Sequence, residues 1–250
     1  MKKNDKRKKR QLSEEVEEIF DFSDGPFHEE SLSHYFTDDG ELKDEIRHFE
    51  YKILGKTLQI TSNSGVFSKN HVDRASDLLI HSVLKCEDVL QRDACSGGTE
   101  AIRIADLGSG YGIILLSLLT VLKDSIGVGY EVSNRAGRLA RINAKKNGLK
   151  ERVRFEPGDL RQKEDCEAPF DLVVTNPPIR AGKDVVYAFY EFAFRNLSPN
   201  GRLYVVISKN QGANSTKKYL EELFGNAEIV KKESEFRVIK AIKQGDGNRI

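Results

Sequence analysis

The apolar positions of this 250-residue chain change period along its length, and each change marks an element. Between residues 46 and 60, Phe49, Tyr51 and Ile53, then Leu58 and Ile60, alternate with polar neighbours on either side of Leu54-Gly55-Lys56, which predicts a β-hairpin. Residues 71–84 switch to helical spacing, with Leu78, Leu79 and Val83 on one face. From residue 102 onward the two patterns alternate. Strands are predicted at 102–105, 126–132, 153–155, 170–175 and 203–207, with helices at 113–119, 134–147, 185–197 and 216–224. Gly148 closes the second of these helices, and Pro199-Asn200-Gly201 stops the third. An antiparallel pair at 227–230 and 236–242 ends the series. Such alternation predicts an α/β fold: a doubly wound, mostly parallel sheet with helices on both faces and ligands beyond the carboxyl ends of the strands.

Charge divides the chain further. Residues 1–10 carry seven Lys or Arg against one Asp, and residues 11–50 carry fourteen acids against Lys43 and Arg47. The expected organisation is a charged, disordered extension (1–33), a hairpin and helix cap (34–98) and a core (99–250). Because the whole chain is +1, everything after residue 50 is mildly basic, which is compatible with an RNA or DNA substrate without requiring one. The basic start reads as a nucleic-acid arm, an address or a solubilising tail. Cys86, Cys95 and Cys166 are widely spaced and odd in number, so neither a disulfide framework nor a zinc site is expected, and no other metal is called for. A reducing, cytoplasmic setting fits, and no apolar run is long enough to make a bilayer a partner.

Candidate chemistry begins at Asp106-Leu107-Gly108-Ser109-Gly110-Tyr111-Gly112, the turn between the 102–105 strand and the 113–119 helix. Glycines at alternate positions let the backbone turn tightly and approach a small molecule, and the free N–H groups of a helix start meet an electronegative group on it. A nucleoside triphosphate would require a Gly-Lys-Ser/Thr ending, and a dinucleotide would require glycine where Ile113 stands. Neither is present. The loop contains no Lys or Arg and opens on an acid, so a pyrophosphate would meet an uncompensated carboxylate, whereas an amino or sulfonium group would be favoured. This points to S-adenosylmethionine; a ligand-free structural turn is the alternative.

Polar residues at the ends of the later strands carry the argument forward. Glu131 ends the next strand, where an acid accepts hydrogen bonds from both ribose hydroxyls; as a plain surface acid it would favour the following helix start. Asp159, after the third strand, is placed to accept from the adenine amino group while Leu160 packs on the ring, or else to cap a turn. The fourth strand ends in Thr175-Asn176-Pro177-Pro178-Ile179. Two prolines remove N–H donors and fix the backbone, so the Asn176 side-chain oxygen and the Pro177 carbonyl can converge as acceptors on one exocyclic amine. Two accepted hydrogen bonds favour a pyramidal nitrogen, the geometry needed to attack a sulfonium methyl in line. A rigid strand-stopping turn is the bland alternative.

With Asp106 to Gly112, Glu131, Asp159, Asn176-Pro177-Pro178-Ile179-Arg180-Ala181-Gly182-Lys183 and the upstream Ser62-Asn63-Ser64-Gly65-Val66-Phe67-Ser68, residues 35–242 resemble the methyltransferase small-domain family. This is a class I, Rossmann-like S-adenosylmethionine-dependent group that includes bacterial small-subunit rRNA guanine-N2 methyltransferases and single-domain relatives. The resemblance implies a seven-stranded sheet with a reversed last strand. It also implies cofactor contacts at Asp106, Gly108, Gly110, Gly112, Glu131 and Asp159, with target-amine chemistry at Asn176, Pro177 and Pro178. Ile179, Arg180 and Phe67 would shape the target pocket. Ser109 stands where many relatives have Cys, and Ile179 replaces the Tyr of adenine-N6 and protein-glutamine enzymes, which leans toward guanine N2. The rRNA enzymes also carry an N-terminal methyltransferase-like domain, and no counterpart of it is expected within these 250 residues. Arg180, Lys183 and Lys209 are cations that could hold phosphates or remain solvated. The expected partner is RNA, rRNA first and tRNA second. The competing expectations are an adenine-N6 or protein-amide methyltransferase, and a non-catalytic RNA-binding or assembly factor on the same scaffold.

Overall fold

The structure is a computed structural model and describes residues 46–63, 71–86, 101–166 and 168–245. The expectations for the charged extension and for Phe67 lie outside the described residues. The alternation at 46–60 forms two antiparallel strands, β1 (Ile46–Ile53) and β2 (Lys56–Asn63). Their two-residue turn places Leu54 and Gly55 at positive φ (44° and 72°), the twist a tight hairpin needs. Helix α1 (Arg74–Lys85) follows, its N-terminus capped by the Asp73 carboxylate, which accepts from the Ser76 N–H.

The core sheet contains β3 (Ile102–Leu107), β4 (Ser125–Glu131), β5 (Val153–Pro157), β6 (Phe170–Thr175), β7 (Leu197–Ser208), β8 (Glu228–Glu233) and β9 (Phe236–Ile242), in the order β5-β4-β3-β6-β7-β9-β8. Neighbours from β5 to β7 run parallel; β9 lies antiparallel between β7 and β8, the reversed last strand that was expected. Helices α2 (Ile113–Val121), α3 (Asn134–Lys146), α4 (Lys183–Asn196) and α5 (Ala213–Phe224) complete the layers. Adjacent residues of one strand serve opposite cores: Ile104 packs with the hairpin, α1, α2 and α3, whereas Ala105 packs with α4 and α5. Burial of both faces explains why these strands read as apolar runs rather than as strict alternation.

The hairpin is fastened to α3 by two asparagines one turn apart. Asn143 Oδ1 accepts from the Thr61 N–H (2.7 Å) while its Nδ2 donates to the carbonyls of Thr61 (3.0 Å) and Tyr111 (2.9 Å). Asn147 makes the equivalent pair with the Gln59 N–H (2.8 Å) and carbonyl (2.9 Å). Tyr51 ties the hairpin to α1 by donating to Asp77 (2.7 Å).

Boundaries differ from expectation mainly at β7. The predicted stop at Pro199-Asn200-Gly201 is instead a kink inside the strand, with Asn200 at φ 64° and a register shift against β6 between Phe170 and Leu172. Asn tolerates this left-handed conformation, and pairing of Asn200 and Gly201 with Lys243 keeps the ladder continuous across it. Helix α5 starts three residues earlier than expected, behind Gly212 at φ 103°. Strand order reverses between β3 and β6: the chain leaves β3 toward one edge and β6 toward the other. The carboxyl ends of these two strands therefore open onto the crevice where such sheets bind ligands.

Candidate active site

Two loops meet at that crevice. In the first, Gly108, Gly110 and Gly112 all have positive φ (74°, 56° and 86°), and the N–H groups of Gly108 and Ser109 donate to the Tyr130 carbonyl (2.9 and 3.0 Å), tying the loop to the end of β4. A Cβ at Gly110 would meet nothing within 4 Å, so the loop is open there. A Cβ at Gly108 would lie 3.2 Å from the Phe189 ring and 4.0 Å from Pro178 Cδ, which shows how closely the glycine loop and the Asn-Pro-Pro turn approach.

Asp106 lies beneath this loop, fully buried. Its Oδ2 accepts from the Leu115 N–H in the first turn of α2 (3.3 Å), and Oδ1 has no partner among the described residues. Burial, only partly offset by that N–H and reinforced by the charge of Glu131, pushes its carboxyl up to about 7. The hydroxyls of Ser109 and Tyr111 are likewise buried without partners among the described residues. Burial raises the Tyr111 phenol well above its ordinary value, and the charge of Asp73 adds to the rise.

Glu131 bridges the loop and α3. Its Oε2 accepts from the Gly110 N–H and its Oε1 from the Ser133 N–H, both at 2.8 Å. Each oxygen retains a second acceptor site. Asp159 caps a short 3₁₀ turn and is clasped by Arg161, through its N–H (3.0 Å), its Nε (2.8 Å to Oδ2) and its Nη2, which holds the carboxyl below the ordinary range. Leu160, expected on the adenine ring, is instead buried in the core beneath α4. Its side chain satisfies the sheet, leaving little surface for a ligand.

The second loop follows β6. Thr175 anchors it by donating from Oγ1 to the Leu107 carbonyl (2.8 Å). The half-buried Asn176 donates from Nδ2 to Ser76 Oγ (3.1 Å) and Asp73 Oδ1 (3.4 Å) at the start of α1. Pro178 forms an inverse γ-turn (φ −76°, ψ 79°) in which the Pro177 carbonyl accepts from the Ile179 N–H (2.9 Å). One lone pair of that carbonyl is therefore committed and the other remains for a ligand. Ile179 packs partly on the core, and Arg180 is exposed. Beside this turn lies an open depression of about 320 Å³ between α4 and α5, lined by Ile179, Lys183, Tyr187, Gln211 and the two glycine starts, Gly182 and Gly212.

The structure thus brings together Asp106, the three glycines and Glu131 at one end, and Asn176, Pro177, Pro178 and Ile179 at the other, with Asp159 at the rim. Three participants were not read from the sequence. Asp73 and Ser76 carry only the signature of a helix start, and Arg161 reads as a surface cation. The pair Asn143 and Asn147 did offer a signal: two poor helix formers at i and i+4 on one face.

A buried acceptor without a donor, an open glycine and a paired-acceptor carboxylate fit the cationic methionine end and ribose of S-adenosylmethionine. With the reversed seven-stranded sheet, they define a class I S-adenosylmethionine-dependent methyltransferase. The chain belongs to the methyltransferase small-domain family, whose model matches residues 57–240. It is 38% identical over 210 residues to the uncharacterized protein YbxB of Bacillus subtilis, covering 84% of this chain and 98% of that one. Over 93 residues it is 40% identical to the release factor glutamine methyltransferase of Rhodospirillum rubrum, covering 37% of this chain and 26% of that one. Among solved structures, a T. thermophilus 16S rRNA N2 methyltransferase in complex with AdoMet and guanosine matches with a TM-score of 0.66 at 30% identity, covering 80% of this chain. The present chain spans about half (51%) of that protein. Among the described residues no helix is long and apolar enough to cross a membrane.

Proposed function

We propose that this protein methylates an exocyclic amine of RNA, with guanine N2 in small-subunit rRNA as the first candidate. The observation that supports this reading is the approach of the Asn176-Pro177-Pro178 turn to the glycine loop, where a Cβ at Gly108 would lie 4.0 Å from Pro178 Cδ, so that the turn's two carbonyl-type acceptors belong to the same crevice as the loop. S-adenosylmethionine supplies an activated methyl group when bound. Asp106, the glycine loop, Glu131 and Asp159 hold its methionine, ribose and adenine ends. Asn176 Oδ1 and the second lone pair of the Pro177 carbonyl accept hydrogen bonds from the two amine N–H groups, which draws the nitrogen lone pair toward the methyl. Asn176 cannot act as a carboxylate base, so the proton leaves after transfer, from a strongly acidic product. Ile179 in place of an aromatic favours guanine, and the guanosine bound in the thermophilic relative agrees with that choice.

A second reading, transfer to adenine N6 or a protein amide, draws on Tyr187, which lines the depression beside Ile179, and on the release factor relative. One face of Tyr187 is already stacked on Tyr219 (3.9 Å between centroids, 12° between planes), which leaves less of it for a base. Incubation with methyl-labelled cofactor and separate pools of rRNA, tRNA, DNA and protein, followed by nucleoside analysis, decides between them. Label in N2-methylguanosine of rRNA is the expected result; label confined to protein or to N6-methyladenosine transfers the assignment to the second reading. Label transfer that survives Asn176→Ala removes the proposed role of that side chain.

A further inference from the structure

We infer that Asp73 and Ser76, at the start of α1, are positioning residues that fix the Asn176 amide with its oxygen toward the substrate; this rests on the role proposed above for Asn176. An asparagine side chain is nearly symmetric in shape, and its two rotamers about the last bond exchange a carbonyl oxygen for an NH2 group. At Asn176 the choice matters, because the wrong rotamer would turn two donors toward an amine that must itself donate. The fold imposes the choice through chemistry. Asp73 Oδ1 lies 3.4 Å from Asn176 Nδ2, and a carboxylate only accepts. Rotating the amide would set carbonyl oxygen against carboxylate, so the NH2 group must face α1.

Ser76 Oγ takes the same group at 3.1 Å; Ser76 is buried, whereas Asp73 and Asn176 are half-buried, so the Ser76 interaction is the better shielded of the two. With its NH2 committed to α1, Asn176 has only acceptor capacity left for a ligand. Asp73 holds its own geometry because the same Oδ1 accepts from the Ser76 N–H at 2.9 Å. Tyr51 holds α1 in turn, by donating to Asp77 one turn further along. The hairpin and α1 are thereby part of the reactive geometry: they set the rotamer of a residue in the loop just after β6 that lies 103 positions away from Asp73.

The test separates this role from helix capping. Asp73→Ser keeps an effective N-cap but is too short to reach Asn176 as well, whereas Asp73→Asn keeps an acceptor oxygen for both groups. Ser76→Ala removes the second acceptor and leaves the cap intact. The direct readout is the Asn176 side-chain NH2 signal in the full chain labelled with 15N-asparagine, identified by its disappearance in Asn176→Asp. The expected result is slow exchange of this NH2 group with water in the wild type and in Asp73→Asn, and exchange at least about tenfold faster in Asp73→Ser and Ser76→Ala. Methyl transfer to the RNA pool that the wild type labels gives the second readout. In Asp73→Ser, kcat falls about 10- to 100-fold with the Kd for S-adenosylmethionine within about twofold, and Asp73→Asn recovers most of the loss. Unchanged NH2 exchange in both Asp73→Ser and Ser76→Ala overturns the inference, as does wild-type kcat in Asp73→Ser. If the wild type labels no RNA, the functional reading fails, while the exchange measurement still decides whether α1 fixes the amide.

Discussion

The glycine loop and the Asn-Pro-Pro turn face one crevice, yet they are held by different means. The loop is tied to the end of the adjacent strand: the Tyr130 carbonyl receives two of its N–H groups, and the side-chain carboxylate of Glu131, only 21 positions from Gly110, receives a third. Asn176 depends on side chains of α1, 100 and 103 positions away. A site half held by the end of the neighbouring strand needs only that two strands pair. A half built from remote side chains forms only when the hairpin, α1 and the sheet are all in place. The two halves should therefore fail separately: damage to the first should appear as lost cofactor affinity, and damage to the second as lost turnover with the cofactor still bound.

The largest expected effect breaks the second half. Asn176→Ala should lower methyl transfer about 10²- to 10³-fold while calorimetry finds S-adenosylmethionine binding within about twofold of wild type. A comparable loss of cofactor affinity would show that the halves are not separable. Gly110→Ala should do the reverse. Its φ of 56° costs an L-residue about 1–2 kcal/mol. The substituted loop relaxes out of this conformation in the free protein and must be returned to it on binding, so affinity for the cofactor should fall by up to roughly 5- to 30-fold, with kcat at saturation nearly retained.

A pH titration sharpens the comparison further. Because burial lifts the Asp106 carboxyl to about 7, the cationic cofactor, which favours the ionised form, should bind with release of a proton. Affinity should then tighten by up to about tenfold per unit as pH rises toward 7 and level off above it. Asp106→Asn should flatten the curve. Folding of the ligand-free protein responds with the opposite sign. The folded value lies above the unfolded 3.8, so the protonated carboxyl favours folding below that pH, and this contribution is lost as pH rises through about 7. The smallest effect is expected at the rim. Asp159→Asn, in a group already clasped by Arg161 and open to water, should weaken cofactor binding roughly two- to tenfold, and a larger loss would mark Asp159 as more than a peripheral contact.

The same contrast explains what could be read from the sequence. Among the described residues periodicity located the strands and helices to within a few residues, because burial of each face imposes its own spacing, except at β7, whose first six residues and kink at Asn200 were missed because an asparagine can turn left-handed without leaving the ladder. The glycine loop, Glu131 and the Asn-Pro-Pro turn were legible because the residue types that shape their backbone, glycine and proline, are adjacent in the chain and because each sits at the end of a predicted strand. Asp73 was hidden behind its simpler role as a helix cap, which explains its presence without reference to Asn176. Leu160 and the Pro177 carbonyl were read as facing a ligand. Nothing local announces that Leu160 is claimed by the core, or that one lone pair of Pro177 goes to the Ile179 N–H.

The clasp between α3 and β2 has a consequence for association as well. At Gln59 and Thr61 the outward N–H and carbonyl groups of β2 are those that an incoming extended chain would recruit, and a hairpin rim normally offers them as a template. Asn143 and Asn147 fill those positions with side-chain amides that imitate a neighbouring strand. On that side the hairpin behaves as though already paired, so self-association by strand addition is blocked there without a further β-element.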